Sequence, residues 1–411
     1  MTGCDAAVDE GVQAGERIDS LDVLRGMALL GILVMNVQGF AMVTAAYVNP
    51  TYAGPIGPAE WWVWSLGQVA VAGKFLAIFS ALFGAGLLLM AERAEAAGVA
   101  PWRRHRRRMA VLALIGLAHA YLIWFGDILF TLALVGLLAF VFRRWSPPRL
   151  LRAAAWLYAI PVLWALLMTW LMHAMPEAAY RDLVASVWQL SAEQLSAEQD
   201  AYRGGWRAQM AQRVPDVLQM HLLVVPLEEG WRILAMMLAG MAAYRSGLLT
   251  GAWSTARYRR AALLGAGLGL PLAAAGQLFH HATGWEMRTS LYLGGLFNHV
   301  ATPLVAMAWV CALIWLLKRG AWPGLMQRLR CLGRGALTGY LLTSLLCTTL
   351  FYGHGLGLFG RLDRVEQLLV VAMVWALLLG LAPLWFRHFR MGPVEWLWRW
   401  GTYGRRAPLR R

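Results

Sequence analysis

Charge is scarce in this sequence. Of its 411 residues only 14% are Asp, Glu, Lys or Arg, against about 25% in an ordinary soluble domain, too few to build a water-facing surface. The 59% of apolar residues excludes intrinsic disorder, which needs low hydrophobicity, and glycine shows no collagen period. Cysteine is nearly absent. Cys4, Cys311, Cys331 and Cys347 show neither zinc-type spacing nor the even ladder of a short exported domain, so reduced or buried thiols and no metal site are expected. A basic start is missing as well: residues 1–20 hold Asp5, Asp9, Glu10, Glu16 and Asp19 against Arg17 alone, the reverse of a cleaved signal peptide. No phosphate-binding loop, dinucleotide fingerprint, His-Glu-x-x-His helix or Gly-x-Ser-x-Gly elbow falls in a credible context.

What the chain does have is long apolar segments. With about 20 residues as the unit for a membrane-crossing helix, they fall near 22–46, 61–90, 108–124, 126–142, 150–173, 230–246, 259–280, 289–317, 335–352 and 366–386. The expectation is an all-α polytopic bundle of ten spans within one domain, residues 1–411. Residues 1–21 form a cytoplasmic N-terminal segment, 175–229 an extracytoplasmic amphipathic insertion and 388–411 a cytoplasmic tail. Within the insertion, Pro226 and the following Glu228 and Glu229 leave 215–229 open as interfacial, re-entrant or an extra half-span.

The net charge of +15 is explained by sidedness. If the loops alternate, 27 of the 37 Lys and Arg residues lie on one side with both termini and 7 on the other, which by the positive-inside rule makes the termini cytoplasmic. The surplus then lines a bacterial inner membrane with anionic lipids on its cytoplasmic face, and nucleic acid is excluded as a partner. Three bases fall within or at the edge of spans instead: Arg25, Lys74 and Arg232.

Ionisable groups inside a bilayer are costly and default to functional candidates. Besides those three bases they are Asn36, His119, Asp127, Asn298, His299 and, just beyond a span, His354. His119 and Asp127 flank a very short turn at Phe125 and Gly126, so their helices run antiparallel. A carboxylate can then orient the imidazole as a general base; the alternative is a hydrogen bond closing a hairpin. Lys74, set thirteen residues into its span, is expected about 20 Å deep, where it pairs with an acid or binds an anionic group. Asn298 and His299 are candidates for the same cavity. Arg103, Arg104, Arg106, Arg107 and Arg108 surround His105, a pattern that serves a phosphate clamp and a topology signal equally well.

Six stretches resemble the YeiB family of bacterial integral membrane proteins: LDVLRGMALLGILVMNV (21–37), GKFLAIFSALFGAGLLL (73–89), GLAHAYLIWFGDILFTLALVGL (116–137), RILAMMLAGMAAYRSG (232–247), LGRGALTGYLLTSLLCTTLFYGHGLGLFG (332–360) and GPVEWLWRWGTYG (392–404). The opening Leu-Asp-x-x-Arg-Gly is also similar to that of acyltransferase family 3 and of heparan-alpha-glucosaminide N-acetyltransferase, which implies transfer of an acyl group to a sugar or lipid acceptor. The family 3 histidine, eleven residues after the Arg, is Asn36 here, and the loop Tyr47–Glu60, where the heparan enzyme has its histidine, contains none. Acyl transfer therefore requires His119 and Asp127 as the base. Arg25, Asn36, Lys74, Arg232, Asn298 and His299 would bind substrate, and Arg103, Arg104, Arg106 and Arg107 the phosphates of the donor. No permanently bound cofactor is implied; acetyl-coenzyme A or another acyl-coenzyme A is the co-substrate, a small molecule, lipid or glycan the acceptor, and a homodimer the candidate assembly. A transporter and a structural membrane subunit are the competing classes.

The charge bias makes a direct prediction. A reporter that is active only in the cytoplasm, fused after Arg411, is expected to be active in whole cells. Activity solely from a periplasmic reporter at that point reverses the topology.

Overall fold

The computed structural model describes residues 18–411; the acidic segment 1–17, with Cys4, lies outside the described residues. The chain is all-α. In order the helices are α1 (Asp19–Ala41), α2 (Pro58–Ala70), α3 (Lys74–Ala96), α4 (Pro101–Leu122), α5 (Leu129–Ala139), α6 (Pro147–Ala174), α7 (Glu177–Val187), α8 (Ala192–Arg203), α9 (Trp206–Gln219), α10 (Gly230–Arg245), α11 (Thr255–Ala282), α12 (Met287–Thr289), α13 (Gly295–Lys318), α14 (Pro323–Arg334), α15 (Ala336–Phe351), α16 (Arg364–His388) and α17 (Pro393–Tyr403). Among the described residues the only β pairing is an isolated bridge between Phe389 and Arg410. Helix starts follow local chemistry: Pro opens α2, α4, α6, α14 and α17, where its missing N–H costs nothing. Capping boxes at Ser191 and Asp363 open α8 and α16.

Among the described residues six helical segments are long and apolar enough to cross a membrane: Asp19–Ala41, Pro58–Ala96, Pro147–Ala174, Thr255–Ala282, Met287–Lys318 and Arg364–His388. The other four expected segments fall on α4, whose first turns are arginine-rich, and on the shorter α5, α10 and α15. Contacts between connections sort them into two ends. At one end Arg330 pairs with Asp19 at 3.1 Å, Arg144 with Glu95 at 3.3 Å, and Arg245 donates to the Trp145 carbonyl at 2.6 Å. At the other, Asn49 donates to the Trp188 carbonyl, Arg203 to the Phe359 carbonyl, and Arg364 pairs with Glu60. The arginine-rich connections thus share one end of the bundle.

Small residues let the central helices touch. A β-carbon at Gly84 would lie 2.1 Å from the Met237 carbonyl oxygen and one at Gly240 only 1.9 Å from that of Ala81, so α3 and α10 cross backbone to backbone.

One expectation is corrected. The segment 61–90 is not one continuous helix, because α2 and α3 are separated at Val71–Gly73, where Gly73 has φ +79°. Lys74 is therefore the first residue of a helix. Residues 215–229 belong to one uninterrupted helical run in which α9, a ten-residue π-helix (Met220–Glu229) and α10 follow each other directly. Pro226 does not break this run, since the wider π turn accommodates it and Trp231 Nε1 donates to its carbonyl at 2.8 Å. Of the thiols, Cys311 and Cys347 are free and buried as expected. Cys331 is instead disulfide-bonded, a connectivity that spacing alone does not encode.

The arginine-rich end is locked by Glu395 of α17. Its carboxylate accepts from the backbone N–H groups of Leu337 and Thr338, at 2.7 and 3.1 Å, and from the Thr338 hydroxyl, capping α15 from outside its own helix. Burial pushes this carboxyl up from its ordinary value, against the pull of those donors. Glu395→Ala is expected to cost about 1–3 kcal/mol by orphaning the donors, read as a lower Tm of the purified protein in detergent. Glu395→Gln, which keeps one acceptor, should lose less; equal melting of all three proteins would show that the cap contributes nothing.

Candidate functional site

A cavity of about 370 Å³ opens among α1, α2, α3, α6, α10, α11 and α13, within the ~300–1,000 Å³ typical of small-molecule sites. Its lining comes from the halves of these helices nearer the end opposite the arginines. The wall is where backbone regularity fails. The gap between α2 and α3, the last turn of the π-helix at Glu228 and Glu229, and a second π turn at Ser290–Gly294 all line it.

The broken end of α2 exposes carbonyls that must find donors. Three side chains supply them: Lys74 Nζ donates to the Gln68 carbonyl at 2.6 Å, Asn298 Nδ2 to that of Ala72 at 3.3 Å, and Trp309 Nε1 to that of Ala70 at 2.9 Å. Lys74 Nζ also donates to Asn298 Oδ1. Lys74 is fully buried and pairs with an amide and a carbonyl rather than an acid. It stands behind Asn298 and does not line the cavity.

Four of the six expected binding residues do line it: Asn36, Arg232, Asn298 and His299. Arg232 pairs with Glu229 at 3.1 Å. His299 is stacked on Tyr158 with ring centroids 4.1 Å apart, and each side chain donates to the other's backbone carbonyl, at 3.0 and 2.8 Å. Arg25 is elsewhere, near the arginine-rich end, paired with Asp22 at 2.8 Å. Among the lining residues that sequence reasoning missed as a site are Tyr158, Glu228, Glu229, Gln277 and His280. The two glutamates were visible only as an interruption of an apolar run, and Tyr158 carried no signal.

His119 and Asp127 do meet. Nδ1 lies 2.8 Å from Oδ1, and both side chains are 0% exposed. The second carboxylate oxygen accepts the Phe130 N–H at 2.8 Å and so caps α5. Gly116 makes room, for a β-carbon there would sit 2.3 Å from the Phe130 nitrogen and 2.9 Å from Asp127 Oδ2. With Asp127 holding the Nδ1 proton, Nε2 carries the lone pair, and it has no protein hydrogen-bond partner. The pair is not part of the cavity lining, although the next residue, Ile128, is.

The arginine cluster faces the other end and is largely engaged by α17. Arg107 Nε donates to the Gly401 carbonyl at 2.7 Å, Arg104 lies over Tyr403 at 5.1 Å and Arg108 over Trp398 at 4.2 Å. Arg103 and Arg106 are exposed. The pocket among Arg104, His105 and Arg108 measures about 20 Å³, room for about one water molecule. His105 is held by the Gly136 carbonyl at 3.0 Å, and His354 by Gln209 at 3.1 Å. Among the described residues no group of three or more His, Cys, Asp or Glu could hold a metal ion.

Residues 243–405 match the family model described as "Protein of unknown function (DUF418)". The chain is 34% identical to the uncharacterized protein YeiB of Escherichia coli (strain K12), covering 93% of this chain and 96% of that one. It is 31% identical to the uncharacterized protein YxaH of Bacillus subtilis (strain 168), over 94% of each.

The cap on α2 makes an asymmetric prediction. Asn298→Leu leaves Lys74 Nζ with one acceptor in an apolar wall and is expected to lower stability by about 1–3 kcal/mol. The double variant Lys74→Met, Asn298→Leu should recover part of the loss, because the buried amine goes too. Strictly additive melting shifts of the two single changes would show the residues to be uncoupled.

Proposed function

The chain belongs to the YeiB family, and from that premise we propose that it is a membrane acyltransferase of the bacterial inner membrane, its arginine-rich end in the cytoplasm against anionic lipids. The observation that carries this reading is the imidazole of His119: a buried carboxylate fixes its tautomer and leaves Nε2 unengaged, the arrangement of a general base.

The chemistry follows from those atoms. His119 Nε2 takes the proton of an acceptor hydroxyl or amine as the acceptor's lone pair attacks the thioester carbonyl of an acyl-coenzyme A. The C–S bond then breaks and the proton passes to the departing thiolate. Asp127 stabilises the imidazolium in between. Arg103 and Arg106, exposed members of the arginine cluster that α17 does not engage, are the residues on the cytoplasmic face that would meet donor phosphates.

One observation favours a second reading, transport: the cavity is built at a broken helix and two π turns and carries Glu228, Glu229 and Arg232, features expected of a solute site at mid-depth.

Purified protein in lipid nanodiscs, given labelled acetyl-coenzyme A, is expected to bind it and release coenzyme A. His119→Ala and Asp127→Ala should each reduce turnover by roughly 100-fold or more while keeping wild-type helicity and elution. A wild-type protein that neither binds nor cleaves acyl-coenzyme A overturns the proposal, and uptake of an unmodified solute into proteoliposomes replaces it with transport.

A further inference from the structure

Arg213 stands apart from the other bases at its end of the bundle. Arg203 donates to the Phe359 carbonyl, Arg288 pairs with Glu177 and Arg364 with Glu60. Arg213 is 0% exposed and makes no ion pair among the described residues. Its Nη1 donates to the Tyr121 carbonyl at 3.3 Å and lies 3.8 Å from the Met210 sulfur, and its guanidinium faces the rings of Trp206 and Tyr352 at 5.4 and 5.8 Å. Nε and Nη2 have no protein partner. Those two nitrogens share one edge of the guanidinium, the side-on fork that grips both oxygens of a carboxylate. The hydroxyl of Tyr352, also 0% exposed, is likewise without a protein partner.

Asp216, one turn further along α9, does not fill the role. Its carboxylate accepts from the Tyr202 hydroxyl at 3.0 Å and from Gln212 at 3.4 Å, and burial pushes its carboxyl up from the ordinary value, which weakens it as a counter-ion. A guanidinium enclosed this way lowers stability, because desolvation is not repaid by a partner charge.

We propose that Arg213 and Tyr352 form a carboxylate-binding site at the end of the bundle opposite the arginine cluster. One guanidinium and one hydroxyl balance a single negative charge on a planar two-oxygen group, which suits a carboxylate better than a doubly charged phosphate. Trp206 and Met210, on the same helix as Arg213, lie beside its guanidinium. The site also joins two others. Tyr121 is two residues from His119, and α9 runs through the π-helix directly into Glu228, Glu229 and Arg232 of the cavity. The inference stands on the surroundings of Arg213 and does not rest on acyl transfer.

Carboxyl-labelled ¹³C acetate, titrated against the full chain in nanodiscs and followed by line broadening, is the test. Saturable binding is expected, weakened roughly tenfold or more in Arg213→Gln. Arg213→Lys, which keeps the charge without the fork, should weaken it as well. Tyr352→Phe, which keeps the packing, should weaken it less. His119→Gln should leave acetate binding unchanged, separating this site from the proposed catalytic pair. Absence of saturable acetate binding by the wild type, equal binding by Arg213→Gln in a folded protein, or displacement of acetate by inorganic phosphate at lower concentration would each overturn the proposal.

Discussion

Inside a bilayer the backbone cannot leave its polar groups to water, so every departure from the helix has to be repaired by the protein itself. This chain concentrates its departures around one cavity and repairs them with the very residues that look functional in the sequence. Lys74, Asn298 and Trp309 donate to three carbonyls at the broken end of α2. Trp231 does the same for Pro226 in the π-helix. The cavity is stable because the irregular backbone that opens it is satisfied from behind.

That constraint also explains why two polar centres lie side by side without merging. His119 and Asp127 belong to the α4–α5 hairpin, pressed together over Gly116, and Asp127 is committed to the N-terminus of α5. The cavity belongs to the other side of that hairpin, where Ile128 forms part of its wall. A carboxylate with one oxygen on a histidine and the other on a backbone N–H cannot turn toward the cavity without orphaning the start of α5. Whatever the pair does, it does through the imidazole.

How much of this was legible in the sequence depended on range. The bundle, its arginine-rich end and the meeting of His119 with Asp127 are local: hydropathy, charge asymmetry and a very short turn suffice. The role of Lys74 was not legible, because nothing in an apolar run announces that Gly73 adopts a left-handed conformation and ends a helix there. Asn298 and Lys74 are 224 residues apart, and no spacing rule pairs them. Nothing in the sequence sets Arg213 apart from other bases, because burial is a tertiary property. Glu228 and Glu229 interrupt an apolar run, and an uninterrupted π-helix through a proline has no sequence signature to place them on a cavity wall.

The hydrogen bonds within the cavity decide which groups remain to recognise a ligand. Lys74 and Asn298 are spent on α2, and Tyr158 and His299 on each other's backbone. Displacing any of these would expose a carbonyl that the bilayer cannot satisfy. Asn36 and Glu228, by contrast, make no hydrogen bond or ion pair with other described residues, and both line the cavity. The Glu229–Arg232 pair, with side chains 24% and 30% exposed, lines the cavity too. Gln277, His280 and Ser290 also line the cavity, each with a side-chain atom that has no protein partner, so recognition falls on these groups together with Asn36, Glu228 and the Glu229–Arg232 pair.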